Sequence, residues 1–243
     1  ISAMNKLNFL LTNDDGIDAP GLKSLILSME GFGNLYTIAP AVALSGCGHQ
    51  VSGRNPLKVE ELQTTNPSEI KRWTAHGTPA DCVRLGLKVL LNDVKPPIDY
   101  VVSGINAGGN LGVDVYTSGT IAAAREATFW GVPGIAVSHH INGRDVDWNL
   151  AYKRSVKVIE SILNKAKDVG IYWNINLPHV DSEIIDLETQ DCSVDNQPAH
   201  VVFEENEKLI FTNKGKYRLR PKTPGSDLSV CFDGKISISK LTI

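Results

Sequence analysis

The sequence predicts an α/β fold: a mostly parallel sheet with helices on both faces, followed by a β-rich C-terminal extension. Three observations predict it. Short apolar runs of strand length alternate with helical periodicities up to about residue 178, polar and glycine-rich loops follow those runs, and beyond Pro178 the pattern changes to turns and short strands. Strands that alternate with helices pair in parallel, because each crossover returns the chain to the same end of the sheet, and such a sheet needs cover on both faces.

Residues 7–11 form the first apolar run, stopped by Thr12-Asn13-Asp14-Asp15-Gly16, so a strand ends in an acidic turn. Pro20 suits a first helical position, Leu22, Leu25, Ile26 and Met29 recur at helical spacing, and Gly31 closes the helix. A strand over 35–39 leads into a glycine-rich loop over 45–48. Thr78-Pro79-Ala80-Asp81 announces the next helix through a capping hydroxyl and a first-turn proline, with Cys82, Val83, Leu85, Leu87, Val89 and Leu90 as its largely buried body.

A strand over 100–102 precedes a long Gly/Asn loop over 103–114; a helix over 118–129 and a strand over 134–137 follow. Residues 148–169 read as an amphipathic helix with Leu150, Val156, Ile159, Ile162 and Leu163 facing the core, and 171–177 as a strand. The expected organisation is an α/β core over 4–178 and a β-rich extension over 179–243 that packs on that core or reaches out from it. Residues 1–3 read as a cloning remnant ahead of Met4.

With 243 residues and 42% hydrophobic content, the chain can bury one sizeable core. No apolar run approaches the roughly 20 residues that cross a bilayer, so a soluble protein with no membrane partner is expected. The four cysteines form no C-x-x-C pair, which argues against a zinc knuckle or disulfide framework and fits a reducing cytoplasm. A net charge of -3 lacks the electrostatic footprint of a protein that binds a nucleic-acid polymer. The basic stretch from Lys214 to Lys222 reads as a solvated hairpin or loop face.

In an open parallel sheet, ligands bind beyond the carboxyl ends of the strands. Three polar clusters fall there: Asn13 to Gly16, Ser45 to Gly48, and Ser103 to Asn110. Adjacent carboxylates at Asp14 and Asp15 repel each other, and a hard divalent cation such as magnesium or manganese, which prefers oxygen ligands, removes the conflict. The dipeptide by itself is equally compatible with capping of the helix that follows. Glycines at 104, 108, 109 and 112 let backbone amides approach an anion, and Ser118-Gly119-Thr120 opens a helix whose N-terminus attracts phosphate. Neither a Walker loop nor G-x-G-x-x-G is present at this loop.

These blocks resemble the SurE survival-protein family of metal-dependent 5′/3′-nucleotidases. The resemblance rests on Asn13-Asp14-Asp15-Gly16-Ile17 with Ala19-Pro20-Gly21, Ser45-Gly46 with Gly48-His49, and Gly77 to Cys82. It continues through Ser103 to Asn106, Gly109 to Gly112 and Ser118-Gly119-Thr120, to Gly134–Ser138. It implies a Rossmann-like catalytic core over 4–178 with 179–243 as oligomerisation arm and completion of the sheet, a phosphomonoesterase that hydrolyses nucleoside monophosphates, one divalent metal ion (Mg2+ or Mn2+) per subunit on Asp14, Asp15, Ser45 and Asn106, and a homodimer or homotetramer. Two departures stand out: Thr117 precedes Ser118 where the family usually has tyrosine, with Tyr116 one place earlier, and Ala127 follows Glu126 where glycine is usual.

Catalysis is expected from Asp14 and Asp15, with Asp14 also a candidate nucleophile or base. Phosphate contacts are expected from Asn106, Gly108, Gly109, Asn110, Ser118, Gly119 and Thr120. His49 reads as structural, and His139 and His140 as surface or edge residues. The alternative reading is a nucleotide- or phosphate-binding sensor with a degenerate site.

Overall fold

The computed structural model describes residues 6–165, 167–181 and 183–243. The expected remnant at 1–3 and the start at Met4 lie outside them. The strands are β1 (Leu7–Thr12), β2 (Gly33–Pro40), β3 (Val59–Leu62), β4 (Glu69–Ala75), β5 (Tyr100–Ala107), β6 (Gly134–His139), β7 (Ile171–Leu177), β8 (Thr189–Asp191), β9 (Phe203–Glu207), β10 (Ile210–Asn213) and β11 (Ile236–Thr242). The helices are α1 (Pro20–Met29), α2 (Pro79–Leu85), α3 (Gly119–Phe129), α4 (Trp148–Leu163) and α5 (Asp227–Phe232).

Nine strands form one sheet in the order β3-β4-β2-β1-β5-β6-β7-β11-β8, and β9 and β10 pair separately. From β4 to β7 every pairing is parallel; β3 and β11 join antiparallel. The strand order reverses direction between β1 and β5, and the carboxyl ends of these two strands therefore flank the crevice where this class of sheet binds ligands.

Alternation along the strands sends side chains to two cores. Phe9 and Leu11 of β1, with Val102 of β5, pack with Leu22, Leu25, Ile159 and Ile162 of α1 and α4. Leu10 and Val101 point the other way, to Cys82 and Val83 of α2 and Ala123 and Ala127 of α3. Burying both faces of a strand requires the continuous apolar runs that make β1 and β5 legible.

Local structure departs from the sequence reading at several points. The segment from Ser103 to Ala107 is strand rather than loop, because Asn106 and Ala107 pair in register with Ser138 and His139 of β6. Val89 is 65% exposed: α2 ends at Leu85 and passes into a π turn over Gly86–Leu90, which rotates Val89 away from the core. The helix expected to reach residue 169 stops at Leu163, and Val169 is solvent-exposed with no core to face. β3 and β4 were not expected; their sequences, VEEL and EIKRWTA, carry too many charges to show strand alternation. His139 and His140 are both buried rather than superficial.

Residues 179–243 contribute β8 and β11 to the main sheet, the β9–β10 hairpin and the short helix α5. Among the described residues no helix is long and apolar enough to cross a membrane.

Candidate active site

β1 delivers the chain into a tight turn in which Asn13 Nδ2 donates to the Gly16 carbonyl at 2.8 Å and the Gly16 amide donates to Asn13 Oδ1 at 3.2 Å. Gly16 has φ +101°, which favours glycine and closes the turn with Asp14 and Asp15 at its apex. Arg72, itself 2% exposed, donates from Nη2 to the Ile17 carbonyl at 2.6 Å and pairs with Glu69 at 3.3 Å. That buried pair on β4 braces the acidic loop from below.

Asp14 is 4% exposed. Burial, reinforced by the neighbouring Asp15 charge, pushes its carboxyl up to about 6, against the opposing effect of a hydrogen bond from Thr120. Thr120 Oγ1 donates to Asp14 Oδ1 at 2.5 Å. Asp15 is half-buried, and its Oδ2 accepts from the Ala107 amide at 3.1 Å, which ties the β1 turn to the end of β5. Asn106 donates from Nδ2 to the Gly108 carbonyl at 2.8 Å, leaving its side-chain oxygen as an acceptor.

The loop after β2 is held over the same crevice. The Leu44 amide donates to the Asp14 carbonyl at 2.8 Å, and the Gly48 amide to the Thr117 carbonyl at 3.0 Å. Ser45 lies exposed between these anchors. Burial first, then the Asp14 charge, raises the Cys47 thiol above its ordinary value, so Cys47 is a poor nucleophile.

On the opposite side, Ser118 caps α3 by accepting from the Ile121 amide at 3.1 Å. A Cβ at Gly119 would lie 2.9 Å from Cys47 Sγ and 3.0 Å from Asp14 Oδ2. Only glycine lets this helix start so close to the acidic turn. The first amides of a helix have no intrahelical acceptor, so Gly119 presents a donor at the positive end of the helix dipole, while the Thr120 amide faces the Asp14 carboxyl.

The expected cradle over 106–110 is narrower than the glycine pattern suggests. The Ala107 amide is committed to Asp15, that of Gly108 to the His139 carbonyl at 3.0 Å, and that of Asn110 to Asn176 Oδ1 at 2.8 Å. Asn110 also donates from its side chain to Ser138 Oγ at 2.7 Å and accepts from Asn174 and Asn176 at its carbonyl. Asn110 thus anchors the loop inward. Gly109 and the start of α3 remain the places where an anion could be met.

Contacts far apart in sequence add residues that sequence patterns did not single out, among them Arg84, Arg125 and Asp114. Glu126, fully buried, lies 2.6 Å from His49 Nε2 and accepts from Arg84 Nε at 2.6 Å and Trp130 Nε1 at 2.8 Å. Burial alone would raise its carboxyl; these hydrogen bonds outweigh burial and hold it at about 2. Arg125 Nε donates to His49 Nδ1 at 2.8 Å, so Nε2 carries the proton given to Glu126. Both ring nitrogens are occupied, and His49 fastens the Ser45 loop to α3. From the basic C-terminal stretch, Arg220 makes a two-point pair with Asp114 at 2.6 and 2.7 Å, and the Tyr217 hydroxyl donates to Asp114 Oδ2 at 2.7 Å. Tyr217 and Arg220 therefore pack on the loop beside Gly109, while Lys214, Lys216, Arg218 and Lys222 of the same stretch are exposed to solvent as expected.

The sequence pattern that describes the survival protein SurE matches residues 9–197. The chain belongs to the SurE family. A protein of Nostoc sp. is 43% identical over 241 residues, which is 98% of this chain and 100% of that one. The 5′-nucleotidase SurE of Heliobacterium modesticaldum is 39% identical over 97% of this chain and 86% of its own length. The crystal structure of SurE from Aquifex aeolicus superposes with a TM-score of 0.79 at 30% identity, covering 97% of this chain and 93% of that one. The fold shared with that SurE structure thus extends over almost the whole chain.

Proposed function

We propose that this SurE chain is a divalent-metal-dependent 5′-nucleotidase that hydrolyses nucleoside monophosphates to nucleoside and phosphate. Family membership and relatives named 5′-nucleotidase SurE, matched over nearly the whole chain, support the reaction class. The observation that carries the metal dependence is the buried Asp14 carboxyl beside Asp15: burial and like charge disfavour ionising both unless a cation joins them.

The donor set fits such an ion. Asp14 and Asp15 supply charged oxygens, Asn106 a side-chain carbonyl and Ser45 a hydroxyl, an all-oxygen set suited to Mg2+ or Mn2+. When bound, the ion supplies Lewis-acid charge neutralisation for phosphoryl transfer. The chain's own groups do the rest. The Gly119 amide at the start of α3 holds a phosphate oxygen, with Gly109 on the facing loop. Thr120 Oγ1 fixes the Asp14 rotamer, and the Ala107 amide fixes Asp15.

The same proposal extends to assembly and location. Phe203, Leu209, Ile210 and Phe211 on the β9–β10 hairpin are each more than half exposed, an apolar surface that supports pairing with further copies as a homodimer or homotetramer. All four cysteines are free, in keeping with a reducing cytoplasm. Phosphate release from a panel of nucleoside 5′- and 3′-monophosphates, by metal-stripped protein before and after Mg2+ or Mn2+, tests the function. Metal-dependent release supports it, and no release from any member of the panel overturns it. Sedimentation at working concentration tests the assembly: a monomer would contradict it.

A further inference from the structure

A cavity of about 220 Å³ lies at the carboxyl ends of β6 and β7, beyond β5 from the acidic turn. His139 closes β6, His179 follows β7, and Leu150 and Arg154 of α4 complete the lining between them. The place is separate from the start of α3 but tied to the acidic turn, because Ala107, whose amide holds Asp15, is the register partner of His139.

Its interior is basic. Arg154 is buried, and its Nε and Nη2 donate to the Ile184 carbonyl at 3.2 and 3.1 Å, which fixes the plane of the guanidinium. His139 is buried too, and its Nδ1 lies 2.8 Å from the His140 carbonyl, so in the neutral ring Nδ1 carries the proton and Nε2 the lone pair. The His179 ring stands at 87° to it with centroids 5.9 Å apart, and His179 Nδ1 is buried with no hydrogen-bond partner among the described residues. A buried nitrogen without a partner is costly, and a bound group that supplies one removes the cost.

Two imidazoles at right angles suit a transition metal, but two observations speak against one. Among the described residues no group of three His, Cys, Asp or Glu side chains is placed to hold a metal ion. The charge of Arg154 also reaches His139 and opposes further positive charge there.

An anion meets the opposite situation. The acidic groups of the lining are engaged or turned outward: Asp147 accepts from the Asn149 and Leu150 amides at 2.9 and 3.0 Å as the cap of α4, Asp181 pairs with Arg144, and Asp145 is exposed. The interior is left to a guanidinium, whose planar fork matches an oxyanion, and to imidazoles beside it. The volume holds a tetrahedral oxyanion with a few waters of about 30 Å³ each, and falls short of the roughly 300 Å³ at which sites for larger ligands begin.

We propose that this cavity is a second ligand site, for a small tetrahedral oxyanion, with Arg154, His139 and His179 as its donors. Burial pushes the His139 ring down to about 4, the contact with the His140 carbonyl opposes it, and charge on His179 and Arg154 adds to the fall. His139 is therefore neutral at pH 7, and an anion at Nε2 draws a proton onto it. The groups that share its surroundings are Asp147 and Arg154 of α4, His140, Arg144 and Asp145 on the loop after β6, and His179 and Asp181 after β7. Binding should tighten as pH falls. No catalytic step is involved, so the site stands or falls separately from the nucleotidase reading.

The test titrates sulfate, a dianion throughout the range used, into metal-free protein and follows the histidine ring signals by NMR at pH 7.5 and pH 5.5. In the wild type the His139 and His179 signals should shift to saturation, with an affinity tighter by about tenfold or more at pH 5.5. His179→Phe keeps a flat ring at a half-buried position, and it and Arg154→Gln should each weaken binding by about tenfold or more. Because Arg154 is buried, its variant counts only if folded, and His179→Phe otherwise decides alone. His49, which fastens the Ser45 loop to α3, reports on the start of α3 and should follow a different saturation curve. No shift of His139 or His179 at either pH would overturn the site. So would shifts that saturate in step with His49 and persist unchanged in His179→Phe, or shifts produced by Zn2+ and not by sulfate.

Discussion

Thr120 Oγ1 donates to Asp14 Oδ1 at 2.5 Å, so the helix start that would receive phosphate and the carboxylate that would hold a cation share one buried hydrogen bond. Thr120 is completely buried, and Thr120→Val keeps its shape while removing the donor. Hydrogen bonds to charged groups are worth about 1.5–3 kcal/mol, so the variant should bind Mn2+ roughly 10- to 100-fold more weakly in calorimetric titration. Thr120→Ser, which keeps the hydroxyl, should restore most of the affinity. Unchanged affinity in Thr120→Val would remove this hydrogen bond from the account.

Glu126 links α3 to the Ser45 loop through His49 and to α2 through Arg84. Its folded carboxyl, at about 2, lies below the ordinary 4.5, so its ionised form stabilises the fold above pH 4.5 and that stabilisation is lost as pH falls through 2. The contribution reaches about 3 kcal/mol at neutral pH. Urea unfolding of wild type and Glu126→Gln should therefore differ most above pH 5, with the gap closing steadily toward acid. A gap independent of pH would assign the cost to packing instead of charge.

The pair between Arg220 and Asp114 is largely buried, with side chains 13% and 21% exposed. A two-point pair of this kind should couple by about 1–3 kcal/mol in a double-mutant cycle of Arg220→Ala and Asp114→Ala read by unfolding. Because Asp114 closes the loop that carries Gly109, Arg220→Ala should also raise KM for a nucleoside monophosphate. Additive unfolding energies would show that the pair contributes nothing.

These residues also mark where the sequence was readable. The acidic turn, the α3 start and the parallel core were legible because each depends on neighbours in the chain: Asp14-Asp15 after an apolar run, Ser118-Gly119-Thr120 before a helix, Val101 and Val102 buried on both faces. Arg72, Glu126 and Arg220 were not, because the partners that tie them to the site lie far away in sequence: Ile17 is 55 residues from Arg72, His49 is 77 from Glu126, and Arg220 meets Asp114 across 106. The same limit explains Asn110, whose glycine-rich setting suggests a free amide but whose partner, Asn176, lies 66 residues on. β3 and β4 stayed hidden for another reason: the charged residues of the edge strand β3 and of its neighbour β4 interrupt the apolar alternation that marks a strand.

The central claim is that Asp14 and Asp15 hold a divalent cation on which turnover depends. The most direct measurement is phosphate release from a nucleoside 5′-monophosphate by metal-stripped protein titrated with Mn2+, in the wild type and in Asp15→Asn. The account predicts no release without metal, saturation at one ion per subunit in the wild type, and release in the variant lower by at least about a hundredfold at the same Mn2+. Release that persists in the stripped wild type, or an Asp15→Asn protein that is folded and turns over at the wild-type rate, would contradict it.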